Sequence, residues 1–494
     1  MTDRVSVQAD HGPATVEGAV AAAAVAVETA AGSAPAERAG WLRAVADALD
    51  GSVEQLAELA HEETALGMPR LRGEVGRTTG QLRLFADVLL DGACFQAVID
   101  HADPSATPPK PDLRRLKRPL GPVAVFAASN FPFAFSVAGG DTASALAAGC
   151  PVIVKAHPGH PRTSDATAAI VGEALAAAGA PVGMFGLVHG LEAGRELVTD
   201  PAIRAVGFTG SLAGGRALFD LAVRREDPIP FYGELGSLNP VVISEGAAKE
   251  RADELASGLL GSVTLGVGQF CTKPGIVLVP DDRGLRDAVA AAAADASGGP
   301  MLNDRIAEGF GSGLRALASH DAVEVVAGDP AAALTGRSAS PVILATTVSA
   351  LLASVDTLLE ECFGPTTLLI TYADRAEMAE ALQALPGSLT VTVHAEAGEL
   401  DELGSFLPRL TELAGRVIFG GWPTGVAVSW AQQHGGPWPA TTAPLHTSVG
   451  ADAISRFLRP VAFQDVPVAW LPPAVRDDNP LNIPQRVDGE HRLG

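Results

Sequence analysis

Cysteine is scarce in this chain of 494 residues, which has only Cys94, Cys150, Cys271 and Cys362. No two of them lie two to four residues apart, as the ligands of a zinc site or the pair of a CxxC oxidoreductase do. The sequence therefore argues against a metal centre and against a dithiol redox site. A low cysteine count also fits a reducing compartment in which thiols stay free. A free thiol there can be a nucleophile.

Basic residues and long hydrophobic runs are also in short supply. Lysine and arginine number 35 against 57 acidic residues, a formal charge of −22, which opposes binding to nucleic acid phosphates. Ala-rich stretches such as AVAAAAVAVETAA are too short and too weakly apolar to span a bilayer. The first twenty residues lack the features of a secretory signal. We therefore expect a cytoplasmic protein that binds neither nucleic acid nor membrane.

Hydrophobic periodicity suggests how the chain is organised. Residues 14 to about 92 have helical spacing, and from about 122 short apolar runs such as PVAVFAAS and PVIVKA alternate with helical segments. Repeated β-α-β units predict a parallel sheet covered by helices. A further α/β unit begins near Asn239, with predicted strands GIVLVP, VEVVAG, TTLLITY, LTVTVHA and GRVIFGG. From Pro460 the proline-rich tail is expected to run extended over the surface or across a subunit.

Five short motifs then follow in order: ASNFPF, FTGSLAGG, YGELGSLNP, GQFCTKPG and EECFGP. In this order and at these separations they resemble the aldehyde dehydrogenase superfamily over almost the whole chain. Within it, KAHPGHPRTSD, QQHGGPWPATT and the tail are most similar to the α-ketoglutarate semialdehyde (2,5-dioxopentanoate) dehydrogenases. The NADP-dependent fatty aldehyde dehydrogenases are close relatives of that branch.

The resemblance implies roles for three residues of these motifs. Cys271 would attack the aldehyde carbon, while the Asn130 amide and the Cys271 backbone N–H would stabilise the oxyanion. Oxidation leaves a thioester, and Glu234 would be the general base for the water that hydrolyses it. Taken singly, Cys271 could be a small buried hydrophobe, Glu234 a solvated acid and Asn130 a turn residue.

Two segments are candidates for the adenosine and pyrophosphate end of a cofactor. FTGS is not a GxGxxG fingerprint, so the usual dinucleotide-binding motif is absent. Gly210, Ser211 and Gly215 nevertheless stand at the opening of a predicted helix whose free N–H groups could face pyrophosphate. An ordinary strand-to-helix turn is the alternative. Lys155 ends the strand PVIVK and, by the resemblance, contacts the adenosine ribose.

The nicotinamide end is implied by the resemblance alone. Glu361 would hold the nicotinamide ribose, Phe363 would pack near the ring, Gly236 would let the chain pass close to it, and Leu235 would lie beside it. Residues 237–238 are Ser-Leu rather than the Gly-Lys common in the family, which leaves local details open.

The choice between NAD and NADP depends on one position after Lys155. Many family members carry there a glutamate that disfavours a 2′-phosphate, and this chain has Pro158. Two like charges about 4 Å apart repel by roughly 4 kcal/mol at a dielectric near 20. The absence of this glutamate carboxylate therefore removes a repulsion of the 2′-phosphate and favours NADP. Four basic residues could supply positive charge, and spacing does not choose among them: His157, His160, Arg162 and Arg195.

These observations predict an α/β protein of the aldehyde dehydrogenase type, with two open-sheet domains and oligomerisation segments. The cofactor domain is predicted over 1–107 and 122–237, the catalytic domain over 238–445, and the oligomerisation segments over 108–121 and 446–494. The predicted activity is NAD(P)-dependent oxidation of an aldehyde to an acid by a homodimer or homotetramer.

The predicted substrate is 2,5-dioxopentanoate, whose carboxylate needs a cation or several N–H donors when it leaves water. A fatty aldehyde would instead need an apolar channel, and five aromatic residues could line one: Phe131, Phe133, Phe270, Trp430 and Trp438. His434 is the only basic side chain within 425–445. A CoA-acylating semialdehyde dehydrogenase and a non-enzymatic protein of the same fold are further alternatives. Glu234 argues against the first, and the three intact catalytic candidates argue against the second.

Overall fold

A computed structural model describes residues 15–423 and 425–493. Residues 1–14, 424 and 494 lie outside the described residues. The parts of the predicted helical region and of the predicted domains that include these residues are therefore not described. The α-helices are α1 (Val16–Gly32), α2 (Pro35–Asp50), α3 (Val53–Thr64), α4 (Met68–Asp91), α5 (Gly140–Ala148), α6 (Pro161–Ala177), α7 (Leu191–Thr199), α8 (Leu212–Val223), α9 (Glu245–Glu250), α10 (Ala252–Thr264), α11 (Arg283–Ala294), α12 (Asp304–Ala318), α13 (Val348–Ala353), α14 (Val355–Leu358), α15 (Arg375–Ala384), α16 (Leu400–Leu403) and α17 (Leu407–Leu413).

The β-strands are β1 (Ala97–Asp100), β2 (Leu113–Pro119), β3 (Val123–Phe126), β4 (Val152–Lys155), β5 (Phe185–Val188), β6 (Ala205–Thr209), β7 (Phe231–Glu234), β8 (Val241–Ile243), β9 (Ile276–Pro280), β10 (Gly299–Pro300), β11 (Glu324–Ala327), β12 (Leu334–Thr335), β13 (Ser338–Ala339), β14 (Val342–Thr347), β15 (Thr366–Tyr372), β16 (Ser388–His394), β17 (Ala414–Phe419), β18 (Leu458–Gln464), β19 (Gln485–Val487) and β20 (Glu490–Arg492).

The first sheet has the strand order β5-β4-β3-β6-β7, and all its pairs are parallel, as the β-α-β pattern predicts. Helices cover both faces, which explains why the strands are apolar throughout. Val123 and Val125 pack in the core that includes α2 and α4. Ala124 and Phe126 point to the other face, where they pack with residues of α1 and α7. The strand order reverses direction at β3, where open α/β sheets bind ligands.

The second sheet has the order β11-β14-β15-β9-β8-β16-β17 and is parallel except at β11. It contains the five strands predicted after Asn239, and also β14, which the prediction missed although PVILATT is a continuous apolar run. Ile276 and Leu278 of β9 face one core, and Val277 and Val279 face another, because side chains alternate along a strand. Strands β10, β13 and β12 form a small separate sheet.

A third sheet, of order β18-β2-β1-β19-β20, connects the segment before the first sheet with the tail. The tail is extended here, as its prolines predict, and Pro460 lies in the edge strand β18, where a missing N–H is tolerated. Strand β1 falls within the predicted range 1–107 but pairs with β2 and β19. The domain boundaries and the oligomerisation role of these segments remain predictions.

Candidate active site

The predicted site residues lie where strand ends of the first sheet face the second sheet. Lys155 and Glu234 are the last residues of β4 and β7, at the carboxyl edge of the first sheet. Cys271 and Glu361 stand in the segments that lead into β9 and β15, at the amino edge of the second. The side-chain Nδ2 of Asn130 donates to the carbonyl of Gln269 at 3.1 Å and so connects the two edges.

The backbone before Cys271 explains the GVG sequence that precedes it. Gly266, Val267 and Gly268 all have positive φ, at 57°, 59° and 67°. At Gly268 a side chain would overlap the backbone of Gly364, so the conformation and the close approach both require glycine. This turn presents Cys271 at the interface between the two sheets.

Cys271 sits in a site that favours its neutral thiol. Burial raises the pKa of the Cys271 thiol to about 12, and the charge of Glu234 adds to the rise, whereas the Arg77 guanidinium opposes it. The Sγ atom lies 3.7 Å from Nε2 of His434. Burial, helped by Arg416 and Arg77, lowers the pKa of His434 to about 3, so its ring is neutral near pH 7 and can accept the thiol proton in a hydrogen bond.

Glu234 carries an unsatisfied carboxylate oxygen. Its Oε2 is buried and has no hydrogen-bond partner in the part of the chain that the structure describes. Burial raises the pKa of the Glu234 carboxyl well above its ordinary value, and Asp141 adds to the rise, while Arg456 and a hydrogen bond with Ser448 oppose it. Arg456 also forms a buried ion pair with Asp141 at 2.7 Å. A carboxylate with a raised pKa and a free oxygen is suited to accept a proton from water.

Asn130 is 9% exposed and is held on both sides. Besides the bond from its amide to Gln269, its backbone carbonyl accepts from Nη2 of Arg70 at 2.6 Å. The amide therefore lies beside the loop that leads to Cys271, as an oxyanion donor would.

At the opening of α8, two of the expected free N–H groups are already engaged. The N–H of Gly210 donates to the Glu234 carbonyl at 3.0 Å, and the N–H of Gly215 donates to the carbonyl of Ser211 at 2.9 Å. These two N–H groups are therefore satisfied within the chain, and the predicted pyrophosphate site concerns the other N–H groups of the first turn of α8. Ser211 is the N-cap, and its Oγ accepts from the Gly214 N–H at 3.3 Å. Leu212 is the first residue of the helix, so its N–H has no partner within the helix itself.

Two of the residues expected at the nicotinamide end, Gly236 and Glu361, lie against each other. A Cβ at Gly215 would overlap the side chain of Leu235, and a Cβ at Gly236 would overlap the Glu361 carboxylate. Burial raises the pKa of Glu361 to about 7, although Lys273 opposes the rise. Phe363 is partly buried in the same segment. These close approaches require glycine at both positions, because a larger side chain would displace Leu235 or Glu361.

The predicted cations near Pro158 are less available than the sequence suggests. Burial lowers the pKa of His157 to about 3 and also lowers that of His160, so neither carries a positive charge near pH 7. Arg162 forms an ion pair with Glu62 at 2.6 Å. The other cation, Arg195, is exposed and has Glu192 at 4.0 Å.

Three arginines that the sequence analysis overlooked also approach the site. Arg70 and Arg77 lie on one face of α4, and Arg416 is in β17. The charges of Arg77 and Arg416 interact with Cys271, and Arg70 lies over the Phe270 ring at 4.9 Å. The available signal was the spacing of Arg70, Glu74 and Arg77, which places three charges on one helical face.

The aromatic channel that a fatty aldehyde would need forms only in part. Phe131 and Phe270 meet edge to face with centroids 5.3 Å apart. Phe133 is instead 2% exposed and belongs to the core, while Trp430 and Trp438 are 56% and 46% exposed. The arrangement of these five residues does not favour a long apolar channel.

None of the described helices is long and apolar enough to cross a membrane. The described part also contains no cluster of His, Cys, Asp and Glu able to hold a metal ion.

Comparisons with known proteins agree with the motifs. Residues 2–436 match the model of the aldehyde dehydrogenase family. The chain is 48% identical to alpha-ketoglutaric semialdehyde dehydrogenase 2 of Azospirillum brasilense and 43% identical to alpha-ketoglutaric semialdehyde dehydrogenase of Acinetobacter baylyi, in each case over 92% of this chain and 87% of the relative. Among solved structures, aldehyde dehydrogenase 21 of Physcomitrella patens, in complex with its reaction product succinate, superposes with a TM-score of 0.77 at 22% identity, covering 93% of this chain and 92% of the other.

Proposed function

Since the chain belongs to the aldehyde dehydrogenase family and is an NAD(P)-dependent oxidoreductase that acts on aldehydes, we propose that it oxidises α-ketoglutaric semialdehyde (2,5-dioxopentanoate) to 2-oxoglutarate. The observation that carries this substrate is the identity of 48% and 43%, over nearly the whole chain, to two proteins named for it. The fold and the two edges that meet at Cys271 support the chemistry.

Cys271 is the nucleophile in this proposal. Since burial raises its pKa to about 12, the thiol must lose its proton as it attacks, and Nε2 of His434 is the acceptor proposed for that proton. His434, with Nε2 at 3.7 Å, orients the S–H, and the positive charge of Arg77 stabilises the thiolate. The new bond joins Sγ to the aldehyde carbon, and the carbonyl oxygen becomes an oxyanion.

The oxyanion is stabilised by the Asn130 amide and by the backbone N–H of Cys271. The Asn130 amide now donates to the Gln269 carbonyl, so a small shift would bring it to an oxygen on the carbon attached to Sγ. Removal of one oxyanion-hole donor costs about 10²–10³ in turnover in acyl-transfer enzymes. Oxidation of the adduct leaves an acyl thioester on Cys271.

Glu234 then activates the water that hydrolyses the thioester. Its unpartnered, buried Oε2 can accept the water proton, and its raised pKa makes it a stronger base than an exposed glutamate. A CoA-acylating enzyme has little use for such a base, so this feature favours release of a free acid. The homo-oligomer and the cytoplasmic location remain predictions from the sequence.

The cofactor is NAD or NADP, as in the family, and when bound it accepts the two electrons that the aldehyde loses. Lys155 and the first turn of α8 are proposed to hold its adenosine and pyrophosphate end. Glu361 and Phe363 are proposed to hold the nicotinamide ribose and ring, beside Leu235 and Gly236.

We further propose that NADP serves at least as well as NAD. Pro158 is exposed and offers no carboxylate that would repel a 2′-phosphate. Of the predicted basic residues, Arg195 forms the weakest contact with a carboxylate, because its Nε lies 4.0 Å from Oε1 of Glu192, at the limit of an ion pair. It is therefore the residue proposed to meet that phosphate.

An aldehyde panel tests the substrate. We expect kcat/KM to be higher for 2,5-dioxopentanoate than for hexanal or decanal when NAD(P)H formation is followed with each cofactor. The product should be the free acid with no requirement for CoA. If kcat/KM instead rises with alkyl length and the oxo-acid aldehyde is the poorest substrate, the enzyme belongs to the fatty aldehyde branch.

A further inference from the structure

Three arginines beside the site have guanidinium nitrogens that are buried and unpaired. They are Nη1 of Arg70, Nη1 of Arg77, and both Nε and Nη2 of Arg416, none of which has a partner in the described part of the chain. Buried donors are almost always hydrogen-bonded, since leaving one unpaired costs its full desolvation penalty. Such a set of charged donors indicates that an acceptor belongs there.

Each of these arginines is fixed by another nitrogen of the same group. Nη2 of Arg70 donates to the Asn130 carbonyl at 2.6 Å, and Nη2 of Arg77 donates to the Val426 carbonyl at 3.3 Å. Nη1 of Arg416 donates to the Gly425 carbonyl at 3.2 Å. The guanidinium groups are therefore held in place while their remaining donors stay free, and this preorganisation lowers the cost of binding an anion.

Aromatic rings lie between the guanidinium groups of Arg70 and Arg77 and the nucleophile. Arg70 lies over Phe131 at 5.2 Å and over Phe270, the residue before Cys271, at 4.9 Å. Arg77 lies over Phe135 at 5.1 Å.

Phe135 in turn neighbours His434, with centroids 6.1 Å apart, and His434 contacts Sγ of Cys271 at 3.7 Å. The charges of Arg77 and Arg416 also act on both His434 and Cys271. The arginines thus lie next to the residues that surround the thiol.

The charge on this wall of the site is not balanced. Glu74, between Arg70 and Arg77 on α4, is the carboxylate that interacts with both of them. Its Oε1 already accepts from the N–H groups of Phe133 and Ala134, at 2.8 and 3.0 Å. This one carboxylate interacts with two of the three guanidinium groups, those of Arg70 and Arg77. The positive charges of the three arginines therefore outnumber it, and a substrate carboxylate would offset part of the excess.

We propose that Arg70, Arg77 and Arg416 bind the α-oxo carboxylate of the substrate, an inference that rests on the proposed function. An α-oxo acid presents carboxylate and ketone oxygens side by side, which suits the planar fork of a guanidinium. With this end held, the aldehyde at the other end of the short chain points to Cys271. An uncharged aldehyde has no carboxylate to accept hydrogen bonds from these donors, so any effect of the arginines on the thiol is common to both kinds of substrate.

The test compares two substrates of equal chain length, 2,5-dioxopentanoate and pentanal, in the variants Arg70→Gln, Arg77→Gln and Arg416→Gln of the full chain. The ratio of their kcat/KM values should fall about 10- to 100-fold in each variant, because one charged hydrogen bond is lost, and KM for the oxo acid should carry most of the change. Arg72→Gln is the matched control on the same helix, since Arg72 is exposed and paired with Glu54 at 2.7 Å. Ratios that stay at the wild-type value in all three variants would overturn the proposal.

A binding measurement keeps this inference separate from the proposed substrate and from effects on turnover. The probe is 2-oxoglutarate, which should protect Cys271 from alkylation by iodoacetamide in the wild-type chain and do so more weakly in the three variants. If the wild-type enzyme prefers pentanal yet this protection depends on the arginines, the proposed substrate is wrong and the anion subsite stands. If 2-oxoglutarate protects all the variants equally, or protects none including the wild type, the subsite is wrong.

Discussion

Replacement of Glu234 by glutamine separates the two half-reactions. The change removes the negative charge of a buried carboxylate. Since Oε2 of Glu234 has no hydrogen-bond partner in the described structure, no such bond is lost there, and the fold should tolerate the change. If Glu234 acts only on the hydrolytic water, acylation of Cys271 continues and deacylation stops. We expect a burst of about one equivalent of NAD(P)H followed by turnover about 10²- to 10⁴-fold slower than in the wild type, the usual contribution of a general base.

The same variant should make the thiol more reactive. With a pKa of about 12, only about one thiol in ten thousand is ionised near pH 8. Glu234 is the largest charge contribution to that raised pKa, so its neutralisation should lower the pKa of Cys271. Each unit of decrease raises the thiolate fraction about tenfold, and iodoacetamide should therefore alkylate Cys271 faster in the variant.

The assay is a stopped-flow burst experiment combined with alkylation rates, mapped to Cys271 by peptide mass spectrometry. A retained burst together with faster alkylation supports the role given to Glu234. A lost burst together with slower alkylation, in a variant whose circular dichroism is unchanged, would refute the reasoning, because Glu234 would then be the base that activates the thiol.

Four further results are expected. Cys271→Ser should abolish NAD(P)H formation in the absorbance assay, while the control Cys94→Ser retains it; residual turnover in the first variant would remove Cys271 from the mechanism. Pro158→Glu should raise KM for NADP more than KM for NAD, and a native enzyme that ignores NADP would show the inference from this position to be wrong. Gly236→Ala should weaken cofactor binding measured by fluorescence titration, since its Cβ overlaps a neighbouring carboxylate; unchanged affinity would contradict the close approach. Deacylation should rise with pH through the raised pKa of Glu234, because only its ionised form accepts a proton; an acid limb at the pKa of an ordinary glutamate would contradict the burial of this group.

Much of this protein can be predicted from its sequence because the relevant signals are local. Strand PVIVK ends at Lys155, and the helix after FTGS begins at Leu212, where the apolar periodicity changes. Asn130, Glu234 and Cys271 stand in motifs whose order identifies the family, and the structure brings their segments to one interface.

What the sequence did not predict depends on contacts between distant segments. In the sequence, Arg77 and Arg416 look like ordinary surface charges. Their role becomes visible only when helix α4 and strand β17 come together at the segment 425–426, whose carbonyls accept hydrogen bonds from both arginines. Strand β1 pairs with β19, which follows almost four hundred residues later in the chain, and no local sequence pattern specifies this pairing. The N–H of Gly210 is engaged by a neighbouring strand end, which the strand-to-helix turn alone does not reveal.

Trapping the acyl enzyme tests the central claim most directly. Glu234→Gln should be incubated with NADP and 2,5-dioxopentanoate, quenched in acid and examined by intact-protein and peptide mass spectrometry. We predict a 2-oxoglutaryl thioester on Cys271 at about one per chain, and no adduct when Cys271 is also changed to serine. NADPH formation without an acyl group on Cys271, or an acyl group on another cysteine, would contradict it.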